Sequence, residues 1–155
     1  MLNRTTEMAI RALLVMGLEQ SSEPVKPKVL AERLECSPSY LSKTLALLTR
    51  AGILQSLRGA RGGVLLRKET TEITLQNIVE ACQGVLVGTY CRQVDDSVTT
   101  CGYHSAMSEI YEATLAVLAR WTLADMMAVP VYPGLEAVDL CKMYFHGCDH
   151  HCRKS

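Results

Sequence analysis

No stretch of this 155-residue chain holds the roughly 18 consecutive apolar residues that a helix needs to cross a bilayer. The opening run MLNRTTEMAIRALLVMGLEQ is apolar in part. Glu7 and Arg11 interrupt it and it has no small-residue cleavage site, so neither a spanning segment nor a leader is expected and a cytoplasmic location is. Aromatic residues are scarce: one Phe, one Trp and six Tyr stand among many Leu, Ala and Met, which disfavours a sandwich or barrel and favours helices with few strands. No Cys-x-x-Cys pair or recognisable nucleophile and base set occurs, so a metal- or thiol-dependent redox enzyme is the weaker alternative. No internal repeat is present. The length suits one compact core, or a small domain with an appended element.

Net charge is also missing, since 16 basic residues balance 16 acidic ones. The balance hides a division. Residues 1–68 hold eleven Lys and Arg against five Asp and Glu, a net +6, and residues 69–155 hold five against eleven, a net −6. A basic first half beside an acidic second half fits a molecule of which one end faces phosphates, although mutual neutralisation across a contact would also produce it.

What is present reads first as helix. Residues 6–20 place Ala9, Leu13 and Met16 on one stripe and Ile10, Leu14 and Leu18 on another, with Thr5 or Thr6 as the expected cap. A second helix is expected from Pro27, with Leu30, Ala31 and Leu34 on one face. After the turn Glu35-Cys36-Ser37, Ser37 is suited to cap a third helix that starts at Pro38, repeats Leu41, Leu45 and Leu48, and closes at Gly52. Two helices joined by a tight turn form a helix-turn-helix. Ser37, Ser39, Tyr40, Ser42, Lys43 and Thr44 are expected to reach bases and phosphates in a major groove. A helical hairpin with a solvated face would share the pattern.

Apolar runs at 53–57 and 64–67 flank the turn Arg58-Gly59-Ala60-Arg61-Gly62-Gly63, which reads as a β-hairpin wing. Arg58 and Arg61 suit phosphates or a narrow minor groove. A nucleotide-binding P-loop is a poor rival, because the strand, loop, helix order and the Lys-Ser/Thr pair are both lacking. A helix from Thr74, or from Thr70 or Thr71, to about residue 83 is expected next, then a loop over 84–101. A single long helix over 103–127 carries Met107, Ile110, Tyr111, Thr114, Leu115, Val117, Leu118, Trp121 and Met126, a surface too wide for a lone helix and suited to homodimerisation, with packing against the first domain as the plainer role. Pro130 and Pro133 break the chain before a short helix over 135–144. The expected fold is therefore mainly α with a small β-hairpin wing: a winged helix-turn-helix DNA-binding domain over 1–83, then a sensor loop, dimerisation helix and Cys/His-rich tail over 84–155.

The segment AERLECSPSYLSKTLALLTRAGILQSLRGARGGVLL resembles the IscR and NsrR (Rrf) family of bacterial winged-helix transcription regulators, whose helix-turn-helix runs directly into a wing with an RGxxGG turn. The resemblance implies a homodimer on a palindromic operator, a long crossed helix between subunits and, in many members, an iron-sulfur cluster that senses redox state, nitric oxide or iron. Where IscR-like proteins often carry a carboxylate after the Tyr-Leu pair, Ser42 follows Tyr40-Leu41 here, which alters the expected operator preference.

Seven cysteines in a reducing compartment point to metal or redox chemistry before disulfides. The resemblance assigns Cys91, Cys101 and His104 to the cluster. The middle cysteine of that pattern is absent, and Glu7 of a partner subunit is a candidate fourth ligand, with a first-turn helix carboxylate as the plainer role. Mixed thiolate, imidazole and carboxylate ligation suits a 2Fe-2S cluster. The tail gathers Cys141, His146, Cys148, His150, His151 and Cys152, which suits zinc, a thiol switch or an unligated tail. A zinc- or thiol-sensing regulator without a cluster is the alternative within this class. Cys36 and Cys82 fit apolar positions and receive no chemistry.

Overall fold

A computed structural model describes residues 2–19, 23–59, 62–85 and 102–128. The first helix, α1 (Arg4–Glu19), buries Ala9, Ile10, Ala12, Leu13, Met16 and Gly17, so it runs through the core with apolar residues on most sides. Its cap is Asn3 rather than Thr5 or Thr6. The Asn3 Oδ1 accepts from the Thr6 amide at 2.8 Å and from the Thr6 hydroxyl at 3.1 Å. Thr6 itself is wholly buried within the first turn. Asn and Thr are both good capping residues, and their adjacency in the sequence does not say which stands outside the helix.

Helix α2 (Pro27–Arg33) starts on the expected proline and buries Leu30 and Ala31, with Leu34 beyond its end. The turn that follows places Glu35 at φ +51°, and the Cys36 amide donates to the Ala31 carbonyl at 3.0 Å. Ser37 then caps α3 (Pro38–Arg50), its hydroxyl accepting from the Tyr40 amide at 3.2 Å. Leu41, Leu45 and Leu48 all lie within the core formed with α1 and α2. Gly52, at φ +72°, ends the unit by taking the left-handed conformation that side chains with a Cβ resist. An ion pair between Arg33 and Glu19 ties the end of α2 to the end of α1.

The wing is the antiparallel pair β1 (Leu54–Leu57) and β2 (Gly63–Leu66), in register from Leu54 opposite Leu66 to Leu57 opposite Gly63. It is anchored at its base. Val25 and Val64 exchange two backbone hydrogen bonds of 2.9 Å, which extends the pairing to the segment before α2. That approach demands glycine at 63, because a Cβ there would sit 2.5 Å from the Val25 carbonyl oxygen.

Helix α4 (Leu75–Gln83) opens on a reciprocal capping box: Thr74 Oγ1 accepts from the Asn77 amide at 3.1 Å and Asn77 Oδ1 accepts from the Thr74 amide at 3.1 Å. The expected single helix over 103–127 is two helices, α5 (Gly102–Arg120) and α6 (Leu123–Ala128). They part at Trp121 and Thr122, where the chain pairs with the start of α4. The Leu75 amide donates to the Trp121 carbonyl at 2.7 Å and the Leu123 amide to the Ile73 carbonyl at 2.7 Å. Thr122 and Asp125 cap α6 reciprocally, with the Thr122 amide on Asp125 Oδ2 at 2.9 Å and the Asp125 amide on Thr122 Oγ1 at 3.1 Å. The Thr122 donors hold the Asp125 carboxyl below its ordinary value. Apolar periodicity runs across the break because both flanks bury residues, which is why a single helix is the natural reading of the pattern.

Helix α6 packs on α1, whereas α5 packs on α4 and buries only Leu118. Tyr103, Ile110 and Val117 of α5 are 63%, 58% and 47% exposed. With Met107, Thr114 and Trp121 they recur at alternating intervals of four and three, the spacing of a coiled-coil seam. No described helix is long and apolar enough to cross a membrane.

The contact at Gly63 generates a test. Gly63→Ala should lower unfolding free energy by about 1–3 kcal/mol in a urea titration, the cost of overpacking against backbone that cannot rotate away, whereas Ser56→Ala, at an exposed position of β1, should change it little.

Candidate nucleic-acid interface

Helix α3 divides sharply. Leu41, Thr44, Leu45 and Leu48 are buried, and Ser39, Ser42, Lys43, Ala46 and Arg50 are exposed. At 3.6 residues per turn the exposed set forms one stripe from the first turn to the last. The N-terminal turn, which in a helix-turn-helix points its residues at base edges, carries Ser39, Ser42 and Lys43. Their hydroxyls and ammonium offer donors to base acceptors and phosphates. Ser37 is exposed, but its hydroxyl is occupied by the Tyr40 amide and lies 3.3 Å from Ser39 Oγ.

Thr44 is not an outward residue. It is 1% exposed, and its hydroxyl donates to the Tyr40 carbonyl at 3.2 Å. Three residues beyond Leu41 and four before Leu48, it falls on the leucine side of the helix, and its polar side chain hides this in the sequence. Tyr40 is half-buried, with its hydroxyl shielded from solvent and without a hydrogen-bond partner among the described residues. Its ring therefore belongs to the support of the helix more than to its reading face.

Beyond β1, Arg58 is exposed, and the turn continues through Gly59 at φ +108°. The Gly62 amide closes on the Gly59 carbonyl at 2.9 Å. Arg61, the expected tip cation, lies outside the described residues. Gly62 and Gly63 act sterically: a Cβ on Gly62 would lie 2.5 Å from the Leu57 carbonyl oxygen, and Gly63 is buried against Val25. They let the wing form.

Sequence reasoning missed Arg50 and Ala46 on the stripe and the exposed cations Lys26 and Lys28 at the start of α2. Carrying the helical wheel of α3 through its last turn would have found the first two. Lys26 and Lys28 carry no motif, and only the fold shows that they are exposed.

The candidate sensor residues are less assembled. Glu7 stands partly exposed in the first turn of α1. His104 is half-buried at the start of α5, its ring edge-on to Tyr103 with centroids 5.8 Å apart. Cys91, Cys101, Cys141, His146, Cys148, His150, His151 and Cys152 lie outside the described residues. Among the described residues no three His, Cys, Asp or Glu side chains converge on a point that would hold a metal, so the described residues alone do not fit an iron-sulfur cluster or zinc. Burial pushes the Cys36 and Cys82 thiols up, against smaller opposing effects of Arg11 and the Thr6 hydroxyl respectively. Both stay protonated near neutral pH, in keeping with a packing role.

Tyr40 separates the two faces of α3 experimentally. Tyr40→Phe should leave stability unchanged or slightly raised, because it removes an unpaired buried hydroxyl, and should leave duplex affinity within about twofold by fluorescence anisotropy. Lys43→Ala should weaken binding at low salt and reduce the slope of log affinity against log salt by about one.

A winged helix-turn-helix of this kind is shared with known regulators. The Rrf2 model, described as iron-dependent transcriptional regulators, matches residues 2–129. The transcriptional regulator NsrR of Geobacillus kaustophilus is 32% identical over 130 residues, 81% of this chain and 88% of that protein. NsrR of Bacillus subtilis is 25% identical over 130 residues, 81% and 89% of the two chains. T. potens IscR superposes with a TM-score of 0.66 at 27% identity, covering 82% of this chain and 85% of that one. CymR, the global cysteine regulator of B. subtilis, gives a TM-score of 0.69 at 23% identity over 83% and 96%. With the geometry of α3 and the wing, these matches place the chain in the Rrf2 family, as a DNA-binding transcriptional regulator and not an enzyme.

Proposed function

We propose that two copies of this chain bind a palindromic operator, each setting α3 into a major groove and its wing against the flanking backbone or minor groove. The observation that carries this reading is the exposed stripe of Ser39, Ser42, Lys43 and Arg50 beside the exposed Arg58 of the wing. Residues 1–68, which contain all five, carry a net +6, the sign that phosphates attract. Residues 1–83 form the DNA-binding unit in this reading and residues 84–155 the sensing and pairing unit.

The exposed apolar seam of α5 supports the dimer. Tyr103, Ile110 and Val117 stand in water at coiled-coil spacing, and a second α5 would cover them. Two-fold pairing also matches the symmetry of a palindrome.

The signal enters through residues 84–101 and the start of α5. Cys91, Cys101 and His104, with Glu7 of the partner as the fourth candidate, hold an iron-sulfur cluster of the 2Fe-2S type in this reading, responsive to redox state, nitric oxide or iron supply. The similarity to NsrR and IscR and the soft donors of the thiolates support it. When bound, the cluster would supply a redox- or ligand-sensitive bond to the residues around it. This chain's part would be to supply the two thiols and the imidazole. A cytoplasmic site of action follows from DNA as partner.

Two measurements test the proposal. Mass photometry and anisotropy should show a dimer bound to one selected palindrome, and joint Ile110→Lys and Val117→Lys substitution should yield monomers that lose at least tenfold in affinity. A monomeric wild type with full affinity contradicts the dimer. Anaerobically purified protein should contain iron and sulfide in equal amounts with visible absorbance, lost in Cys91→Ala and Cys101→Ala. Zinc alone, or neither metal after reconstitution, overturns the cluster and favours the zinc- or thiol-sensing reading.

A further inference from the structure

We infer that Ala46 is a specificity-determining residue that reads the C5-methyl group of a thymine in the major groove. The inference rests on the proposed docking of α3 and concerns what that helix recognises.

Ser39, Ala46 and Arg50 fall within about 40° of one another around α3 at 100° per residue, so Ala46 lies at the centre of the exposed stripe and not at its rim. Lys43 lies one turn before it and Arg50 one turn after. It is the only apolar residue on that stripe, and its exposure is not relieved by any other described element, since the core contacts of α3 pass through Leu41, Leu45 and Leu48 on the opposite side. The rise of about 1.5 Å per residue puts Ala46 roughly 10 Å beyond Ser39 along the helix. Ser39 and Ala46 thus address different base pairs.

The chemistry at that point selects the base. In the major groove guanine, cytosine and adenine present only hydrogen-bonding groups, whereas thymine adds a methyl. A methyl side chain has no donor or acceptor to offer the first three, and over them it would leave a polar edge unpaired. Against thymine it removes two small apolar surfaces from water. The shortness of alanine adds a second effect: the longer Lys43 and Arg50 on either side can diverge toward the two phosphate backbones while the helix axis approaches the groove floor at Ala46.

The test uses a duplex selected in vitro by the full-length protein, in which each thymidine is replaced in turn by deoxyuridine. That change removes the methyl and leaves the base-pairing groups intact. One position per half-site should cost the wild type about fourfold in affinity, the weight of one buried methyl. In Ala46→Gly that penalty should vanish, so that thymine and uracil duplexes bind equally. Because glycine loosens a helix, Ala46→Ser serves as the partner variant, folding checked by circular dichroism. Reselection with it should replace the thymine by another base, as expected of a hydroxyl that pairs with polar edges. A uracil penalty of the same size in wild type and Ala46→Gly, or no methyl-sensitive position at all, overturns the inference while leaving the docking intact. Failure to select any duplex, or full affinity in Lys43→Ala, removes the docking and the inference together.

Discussion

The packing of the α3 leucines against α1 is the contact on which the rest of the molecule depends. Leu41, Leu45 and Leu48 are each at most 2% exposed and share one core with Leu13 and Met16 of α1 and Leu30 and Leu34 beside α2. Burying three leucines favours the folded state by roughly 5–9 kcal/mol before entropy is counted. Its larger consequence is rotational. Once that stripe faces inward, Ser39, Lys43, Ala46 and Arg50 have one direction left, and the reading face follows from the core.

The wing is held to the same frame by backbone bonds as well as by the buried Leu54 and Val64 side chains. Val25 and Val64 exchange hydrogen bonds, the Arg67 amide donates to the Ile53 carbonyl at 3.0 Å, and Gly63 allows the close approach. Arg58 therefore projects from a hairpin fixed at its base. A second backbone clasp joins residues 73–75 to residues 121–123, while α6 rests on α1. The second half thus meets the first at three places: α5 on α4, this clasp, and α6 on α1.

Much of this was legible in the sequence because the signals were local. Pro27, the Ser37-Pro38 pair, Gly52 and the wing glycines punctuate the chain with residues whose backbone chemistry admits few alternatives. The misread positions are those where local pattern is silent about the third dimension. Thr44 is polar yet buried, because a hydroxyl bonded to a carbonyl one turn earlier tolerates the core. Asn3 outcompetes two threonines for a cap that any of the three would serve. The division at Trp121 and Thr122 depends on pairing with residues nearly fifty positions earlier, although Thr122 and Asp125 do form a capping box readable in hindsight. The candidate sensor residues are legible as chemistry alone: soft donors are recognised by residue type, and Cys91 and Cys101 lie outside the described residues.

In the proposed docking the polar side of α3 and the wing form the DNA-facing surface. Hydrogen–deuterium exchange of the full-length protein, with and without a selected duplex at saturating concentration, tests it over the whole chain. Slower exchange is expected at the start of α3, around Ser39 and Leu41, and in the wing strands 54–57 and 63–66, with α6 unchanged. Protection confined to α5 and α6, with α3 and the wing exchanging as in the free protein, would contradict it.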